Sequence, residues 1–259
     1  MIEGAIVFLL GSIIGSFLNV CIYRLPKGES IISPPSHCPN CKKNIPWHDN
    51  IPILSYLVLQ GKCRFCDVKI NFRYFLIEVL TALLMLSLFI AFGLTSKFIA
   101  YSILTCGLIV ATFVDFEIQE IPDQVSIGGL VIGLALSYTN PSIFDEYVRL
   151  HGLLNSFLGA LAGGASIYLI GFLWKLAFKK EAMGGGDVKL MAMIGSFLGW
   201  KLVVFVFFAA PLFGAIVGII LKIKDGRNII PYGPYLSLAA LIAIFFGEKI
   251  IGLLLYGIY

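Results

Sequence analysis

Long apolar runs dominate this chain and restrict what it can fold into. Eight such runs occur, over residues 4–23, 75–93, 98–114, 125–138, 153–174, 188–200, 202–221 and 234–256. A helix rises about 1.5 Å per residue and the hydrocarbon core of a bilayer is about 30 Å thick, so runs of roughly 18 or more apolar residues are typical of spanning helices. The sequence therefore predicts an all-α, polytopic membrane protein of about eight transmembrane helices, with the lipid bilayer as its surroundings.

The composition favours the same interpretation. Hydrophobic residues make up 59% of the 259 residues and charged residues only 13%, whereas a soluble domain is about one-quarter charged. A transmembrane β-barrel would instead show short alternating strands. The first run has no basic region before it and no small-residue cleavage site after it, so we interpret it as a retained span. The run 188–200 is short for a full crossing, which leaves the boundary near Trp200 and Lys201 open.

The positions of the cations predict an orientation. If all eight runs span the membrane, one side holds fifteen of the nineteen cations: Arg24, Lys27, Lys42, Lys43, Lys62, Arg64, Lys69, Arg73, Lys175, Lys179, Lys180, Lys189, Lys222, Lys224 and Arg227. The opposite side holds only Lys97, Arg149, Lys201 and Lys249. Cytoplasmic loops carry the excess of lysine and arginine, so we predict that the loop 24–74 is cytoplasmic and that both termini are outside. We expect no nucleic-acid partner.

Two aspartates lie where apolar runs meet polar sequence. Asp115 follows the run 101–114, and Asp187 follows three glycines in MGGGD. An ionised carboxylate near hydrocarbon costs at least a few kcal/mol, so such residues usually face a polar cavity and have a function. The orientation predicted above places both at the cytoplasmic face. It does not prove that they meet.

A pair of carboxylates that share a site has a defined chemistry. The two cannot both ionise cheaply, so the pair can hold a single proton. One acts as the base toward a water that attacks a peptide carbonyl, and the other donates to the carbonyl oxygen and then to the leaving amine. This is the chemistry of aspartic proteases. The sequence contains neither an HExxH motif for a catalytic zinc nor a GxSxG motif for a serine nucleophile.

The segments around these aspartates also have structural interpretations. In DFEIQEIPD (115–123), Glu117 and Glu120 are better interpreted as solvated connector residues. Ile121-Pro122 predicts the start of a new helix, and Asp123 would cap that helix or favourably meet its N-terminus. The three glycines 184–186 are either a flexible connector or a backbone that a substrate peptide can approach closely.

Two CxxC pairs, CPNC (38–41) and CRFC (63–66), lie in the polar loop after the first run, with twenty-one residues between them. Two such pairs suit a tetrahedral site of four thiolates around a structural zinc, although the spacer is slightly longer than the usual range of about 15–20 residues. A cytoplasmic position keeps thiols reduced and disfavours disulfides. His37 and His48 are spare ligands, or solvated loop histidines. We predict a small cytoplasmic zinc-binding loop domain with Cys38, Cys41, Cys63 and Cys66 as the metal ligands.

Together these motifs resemble the type IV prepilin peptidases, the bifunctional leader peptidase/N-methyltransferases of the GxGD aspartic protease group. The similarity extends in order through most of the chain. It includes GSFLNVCIYRLP (15–26), SHCPNCKKNIPWHDNIPILSYLVLQGKCRFC (36–66), INFRYFLIE (70–78), D-x6-PD (115–123) and GGGDVKLMAMIGSFLGW (184–200).

The resemblance implies a specific activity and set of residues. Asp115 and Asp187 would be the catalytic pair, and Gly184 and Gly186 would be the fixed glycines of GxGD, in contact with the substrate. The family cleaves the basic leader of type IV prepilins and pseudopilins on the cytoplasmic side of the bacterial inner membrane, after a glycine. It then methylates the new N-terminal amine with S-adenosylmethionine, in the service of type IV pili or type II secretion.

Within that resemblance, three domains are expected: a first transmembrane helix over 1–23, a cytoplasmic tetracysteine domain over 24–74 and a transmembrane peptidase core over 75–259. We interpret Glu78 as a contact for the substrate amine, with an ordinary polar residue at a helix start as the alternative. No glycine-rich fingerprint locates the S-adenosylmethionine pocket.

Three other functions are compatible with the same residues. The chain could be a GxGD intramembrane protease of other substrates, although the tetracysteine loop argues against it. It could be an ion-coupled transporter whose membrane aspartates carry protons or cations. It could also be a non-enzymatic assembly module held by its zinc domain, for which the aspartates would be dispensable.

Overall fold

The computed structural model describes residues 2–179, 183–225 and 231–256, and these ranges contain helices and turns but no β-strand. The prediction of an all-α fold is confirmed. The chain forms two compact units, residues 1–94 and 95–259.

The first unit consists of two long helices and a loop between them. Its helices are α1 (Ile2–Arg24), the short α2 (Leu54–Val58) and α3 (Phe72–Phe92), and 3-10 turns cover Leu25–Lys27 and Trp47–Asn50. Helices α1 and α3 pack along one another. Helix α3 begins at an N-cap asparagine, since the Asn71 side chain accepts a hydrogen bond of 2.9 Å from the Arg73 backbone N–H.

The second unit is a helical bundle. It comprises α4 (Ser96–Ile118), α5 (Asp123–Thr139), α6 (Arg149–Phe178), α7 (Gly185–Asp225), α8 (Gly233–Ile242) and α9 (Glu248–Tyr256). A 3-10 turn over Pro141–Phe144 follows α5, and a π-helical turn over Ala243–Gly247 joins α8 to α9.

Helix α7 is divided at Gly199, which has φ 76° and ψ 173° and is therefore outside the helical region. Twelve residues of straight helix would separate Met191 and Val203 by about 18 Å. A Cβ placed at Gly163 of α6 would nevertheless touch both of them. The parts of α7 before and after Gly199 therefore fold back beside each other on α6, which explains the open boundary near Trp200.

Small residues allow α6 and α7 to pack closely. A Cβ at Gly159 would collide with the carbonyl of Gly195, and one at Gly163 would collide with the carbonyl of Met191. The Ser156 hydroxyl also donates a hydrogen bond of 2.6 Å to the Ser196 carbonyl across this contact. Packing through small residues with an interhelical hydrogen bond is characteristic of membrane helices.

Six elements in the described residues are long and apolar enough to cross a membrane, so the chain is a multi-pass membrane protein. They are Ile2–Lys27, Phe72–Phe92, Ser96–Ile118, Arg149–Phe178, Gly185–Ile220 and Gly233–Leu253. The predicted runs 188–200 and 202–221 both fall within α7, which supplies the fifth of these elements. The predicted run 125–138 lies in α5, which has 17 residues and is shorter than this group. Every predicted run therefore corresponds to helical structure.

Candidate functional site

Asp115 lies in the last turn of α4 and is buried, with 5% of its surface exposed. Its Oδ2 accepts a hydrogen bond of 2.8 Å from the backbone N–H of Gly233, the first residue of α8. Gln119 follows in a left-handed conformation and ends α4 by donating its N–H to the Asp115 carbonyl. The chain therefore turns directly after the aspartate, whose carboxylate is fixed by another helix.

Asp187 lies at the N-terminus of a helix, as the third residue of α7, whereas Asp115 lies near the C-terminus of α4. Its backbone N–H donates to the Gly184 carbonyl at 3.2 Å, and its Oδ2 accepts from the Gly184 N–H at 3.3 Å. A side chain that reaches back in this way satisfies a backbone donor that has no partner within the helix. A negative charge in the first turn is also favoured by the helix dipole. The local sequence thus fixes this carboxylate at the start of α7.

The side chain of Ile121 lies against residues that neighbour both aspartates. A Cβ at Gly186, the residue before Asp187, would lie 3.2 Å from the Ile121 Cβ. A Cβ at Gly233, the residue bound to Asp115, would lie 3.3 Å from the Ile121 Cδ1. The same side chain therefore lies against both glycines, and Asp115 and Asp187 are close enough for their charges to interact.

The other acids of the connector after α4 have different surroundings. Glu120 is exposed. Asp123 forms an ion pair of 2.7 Å with Lys189, and both side chains are about half exposed. The prediction that a new helix starts at Ile121-Pro122 is confirmed, because α5 runs from Asp123 with Pro122 as its N-cap residue. Of the two roles predicted for Asp123, capping is wrong, because Pro122 is the N-cap residue. The other is confirmed, because Asp123 lies in the first turn, where its charge is favoured by the helix dipole.

The first unit carries a metal-ligand cluster. The sulfur atoms of Cys38, Cys41, Cys63 and Cys66 all lie within 4.8 Å of one another, and the Cys38 and Cys66 Sγ atoms are 3.8 Å apart. Tetrahedral zinc with Zn–S bonds of about 2.3 Å would separate its sulfurs by roughly 3.8 Å. The four thiols therefore fit a tetrahedral metal ion, and all four are free of disulfides.

Backbone turns of matching form hold the two cysteine pairs. In the first, Cys38 N–H donates to the Lys43 carbonyl at 2.9 Å and Lys42 N–H donates back to Cys38 at 2.9 Å. In the second, Cys63 N–H donates to Val68 at 2.9 Å and Asp67 N–H donates back to Cys63 at 3.0 Å. Such turns direct both sulfurs of a pair toward one point, so the two turns together form a four-sulfur site.

Hydrogen bonds already stabilise one thiolate of this cluster. The backbone N–H of Val68, assisted by the Asn40 amide, lowers the pKa of Cys66 to about 6. A thiolate is the form that ligates a metal. Next to this pair, Arg64 makes a bidentate contact with Asp49, at 2.6 Å for each hydrogen bond, and this contact lowers the pKa of Asp49. The ion pair links the second turn to the Trp47–Asn50 turn.

The remaining candidates fall outside these two centres. The histidines are not part of the sulfur cluster, and the His37 Nδ1 instead lies 3.1 Å from the Pro35 carbonyl. Glu78 lies in the second turn of α3, where its Oε2 accepts a hydrogen bond of 2.7 Å from the Ile53 N–H. Its interpretation as an amine contact stays a prediction.

Sequence reasoning missed the contribution of PYGP (231–234). Gly233 supplies the N–H that fixes Asp115, and a Cβ at this position would lie 2.8 Å from the Asp115 Oδ2. A signal was available, because a glycine between a tyrosine and a proline directly precedes the last apolar run, on the side predicted to hold both aspartates.

Comparison with known proteins gives matches over most of the chain. The Bacterial Peptidase A24 N-terminal domain matches residues 9–92, and the Type IV leader peptidase family matches residues 102–219. No solved structure matches the chain.

Several relatives carry the same name, "Prepilin leader peptidase/N-methyltransferase". The protein from Pseudomonas aeruginosa is 36% identical, over 93% of this chain and 90% of its own length. That from Neisseria gonorrhoeae is 34% identical, over 89% of this chain and 86% of its own. That from Myxococcus xanthus is 37% identical over 85% of this chain, and the match spans 63% of that longer protein.

Proposed function

The chain belongs to the type IV leader peptidase family, and we propose that it is a membrane aspartic endopeptidase that cleaves the leader of type IV prepilins or pseudopilins. In this proposal, it then N-methylates the new N-terminal residue with S-adenosylmethionine as the methyl donor. The names of its relatives support both steps, since each combines a leader peptidase with an N-methyltransferase.

One observation carries the peptidase assignment. The carboxylates of Asp115 and Asp187 interact at the same end of the bundle, and each accepts a hydrogen bond from a backbone N–H. An aspartic peptidase needs this arrangement, because one carboxylate must be held ready as a base beside a second that holds a proton. Backbone donors keep both groups in place without adding another charged side chain.

We assign different roles to the two aspartates. Asp115 has the shorter hydrogen bond, 2.8 Å from the Gly233 N–H compared with 3.3 Å from the Gly184 N–H to Asp187, and this hydrogen bond stabilises its ionised form. It is therefore the base that takes a proton from the attacking water. Asp187 holds the shared proton and donates it to the carbonyl oxygen of the scissile bond. Asp115 then passes the proton that it took from water to the leaving amine, and Asp187 recovers its own proton when the carbonyl re-forms.

The glycines of GxGD would serve the substrate. Gly184 is exposed and Gly186 lies directly before Asp187, so a substrate backbone in an extended conformation can approach both without meeting a side chain. We propose that these two residues contact the peptide on either side of the scissile bond.

The bias of lysines and arginines supports an orientation with the active site facing the cytoplasm, in the bacterial inner membrane. A leader that is cleaved before export is accessible from that side. The division into a first helix (1–23), a cytoplasmic tetracysteine domain (24–74) and a peptidase core (75–259) stays a prediction.

The four-cysteine cluster would hold a structural zinc. When bound, zinc cross-links the two cysteine turns, and four thiolates leave no position for a catalytic water. The loop 28–71 contains one α-helix of five residues, α2, and the 3-10 turn Trp47–Asn50. A segment with so little secondary structure gains its fold from the metal, as small zinc domains do.

Zinc removal is expected to unfold this loop. The purified chain should carry one zinc ion, and Cys38→Ser combined with Cys63→Ser should lose it, since each cysteine turn then lacks a ligand. Elemental analysis measures the metal, and limited proteolysis measures cutting within 24–74. Cys21→Ala is the matched control, because Cys21 lies in α1, away from the cluster. Full zinc content in the double variant would contradict the assignment.

The proposed activity is tested by mass spectrometry of a prepilin peptide incubated with the purified chain and S-adenosylmethionine. We expect a shorter product that begins after the leader glycine and carries the added mass of one methyl group. The same preparation, reconstituted in vesicles, should show no ion-coupled flux. Flux without cleavage would instead favour the transporter, and cleavage of unrelated membrane peptides with an intact prepilin would favour the other intramembrane proteases.

A further inference from the structure

A polar cluster lies between α1 and α3 of the first unit, formed by Ser16, Asn19 and Glu78; we refer to it as the α1–α3 cluster. The Asn19 Nδ2 donates to the carbonyls of Gly15 at 3.3 Å and Tyr74 at 3.1 Å. Tyr74 lies one helical turn before Glu78, so Asn19 touches the turn of α3 that ends at the carboxylate. The Ser16 hydroxyl interacts with the Glu78 carboxylate.

Close packing of the two helices fixes this cluster. A Cβ at Gly15 would lie 2.8 Å from the Glu78 Cα and 3.1 Å from the Thr81 Cβ, closer than a side chain can pack without displacing backbone. Gly15 therefore allows α1 to lie directly on the turn of α3 that carries Glu78. The neighbouring Ser16 and Asn19 are brought to the same turn.

Asn19 has an acceptor that is left unused. The residue is only 3% exposed, and its Oδ1 has no hydrogen-bond donor among the described residues. Both partners of its Nδ2 are carbonyl oxygens, so the amide orientation is determined. A buried acceptor without a partner destabilises the folded chain. An apolar residue would avoid that cost between membrane helices, which points to a donor that arrives from outside the chain.

Glu78 is also held in place at a strained turn. Its Oε2 accepts a hydrogen bond of 2.7 Å from Ile53, whose φ is 63° and ψ −55°. A β-branched residue with positive φ is an outlier. The Leu54 N–H donates to the Pro52 carbonyl at 2.6 Å across it, which makes a tight γ-turn. Such strain is concentrated at functional sites, and here it orients the N–H that positions the carboxylate.

We propose that the α1–α3 cluster is a binding site for a primary ammonium group. It presents a carboxylate, a hydroxyl and the free amide oxygen of Asn19, all of which accept hydrogen bonds. The present partners of Glu78, the Ile53 N–H and the Ser16 hydroxyl, are uncharged. An ammonium has three N–H donors and a positive charge, so it can donate a hydrogen bond to each of these three acceptors and neutralise the carboxylate.

Two ligands of the proposed reaction carry such a group. The identity of the ligand therefore rests on the proposed function. One is the new N-terminal amine of the cleaved substrate, and the other is the amino group of S-adenosylmethionine. The residues fit this part of either molecule. Binding measurements separate the two sources, because each ligand can be offered alone.

The test is equilibrium binding to the full-length chain in lipid nanodiscs. The probes are a mature pilin peptide with a free N-terminal amine, the same peptide N-acetylated, and labelled S-adenosylmethionine. Glu78→Gln keeps an oxygen for the Ile53 N–H but removes the charge. We expect this variant to bind one of the two ammonium probes roughly tenfold or more weakly than the wild type does. Loss confined to the free-amine peptide identifies the substrate, and loss confined to S-adenosylmethionine identifies the donor.

A second variant and a control complete the design. Asn19→Leu removes the free acceptor and should weaken the same probe as Glu78→Gln, without lowering the melting temperature. Glu29→Gln removes an exposed carboxylate from the same unit and should bind like the wild type. The proposal is overturned if both cluster variants bind both ammonium probes as tightly as Glu29→Gln does. Failure of the wild type to cleave prepilin would instead refute the proposed function, since binding is measured separately from cleavage.

Discussion

Replacing Gly233 by alanine is expected to slow prepilin cleavage roughly 10–100-fold in a chain that still folds. The added Cβ would lie 2.8 Å from the Asp115 Oδ2 and 3.3 Å from its Cγ, so the carboxylate or the start of α8 must move. Either movement lengthens the hydrogen bond that fixes Asp115. A hydrogen bond to a charged group contributes about 1.5–3 kcal/mol, and about 1.36 kcal/mol corresponds to a tenfold change in rate.

The substitution should lower kcat and leave KM nearly unchanged. Gly233 acts on the reaction through Asp115, and most of the substrate is bound by other residues. Gly128→Ala is the matched control: it changes a glycine of α5 in the same unit, but its Cβ meets nothing within 4 Å. Initial rates over a range of prepilin concentrations separate kcat from KM. If Gly233→Ala matches Gly128→Ala in kcat, the contact with Asp115 does not position the base.

The sequence predicted the helices well because a membrane leaves the backbone few alternatives. Every N–H and C=O within hydrocarbon must be satisfied, so a long apolar run such as 98–114 forms a helix wherever it crosses. The predicted end at Asp115 is close to the observed end of α4 at Ile118. The two CxxC pairs were equally predictable, since metal-ligand spacing is a local property of the chain.

Contacts between distant residues could not be predicted in this way. Gly233 and Asp115 are separated by 118 positions, and only the packing of α8 against α4 brings them together. The sequence predicted a boundary near Trp200, but it did not show that Gly163 of α6 would contact α7 on both sides of that boundary. The ion pair between Asp123 and Lys189 could not be predicted either, because it depends on where α7 begins relative to α5.

Asparagine in place of either member of the aspartate pair is expected to reduce prepilin cleavage by roughly 10²–10⁴-fold, the usual contribution of a positioned acid or base. The substitution keeps the size of the side chain. An amide in place of the Asp115 carboxylate cannot take a proton from water, and an amide in place of the Asp187 carboxyl cannot supply one. Because the two residues act as one unit, the double variant should lose little more activity than either single variant.

The most direct measurement is the initial rate of prepilin cleavage by the wild type, Asp115→Asn, Asp187→Asn and Glu120→Gln, reconstituted in the same vesicles. Glu120 is an exposed acid of the same connector and serves as the matched control. The expected result is cleavage by the wild type and by Glu120→Gln, with almost none by either asparagine variant at an unchanged melting temperature. Cleavage at the wild-type rate by either folded asparagine variant would contradict the shared site of Asp115 and Asp187.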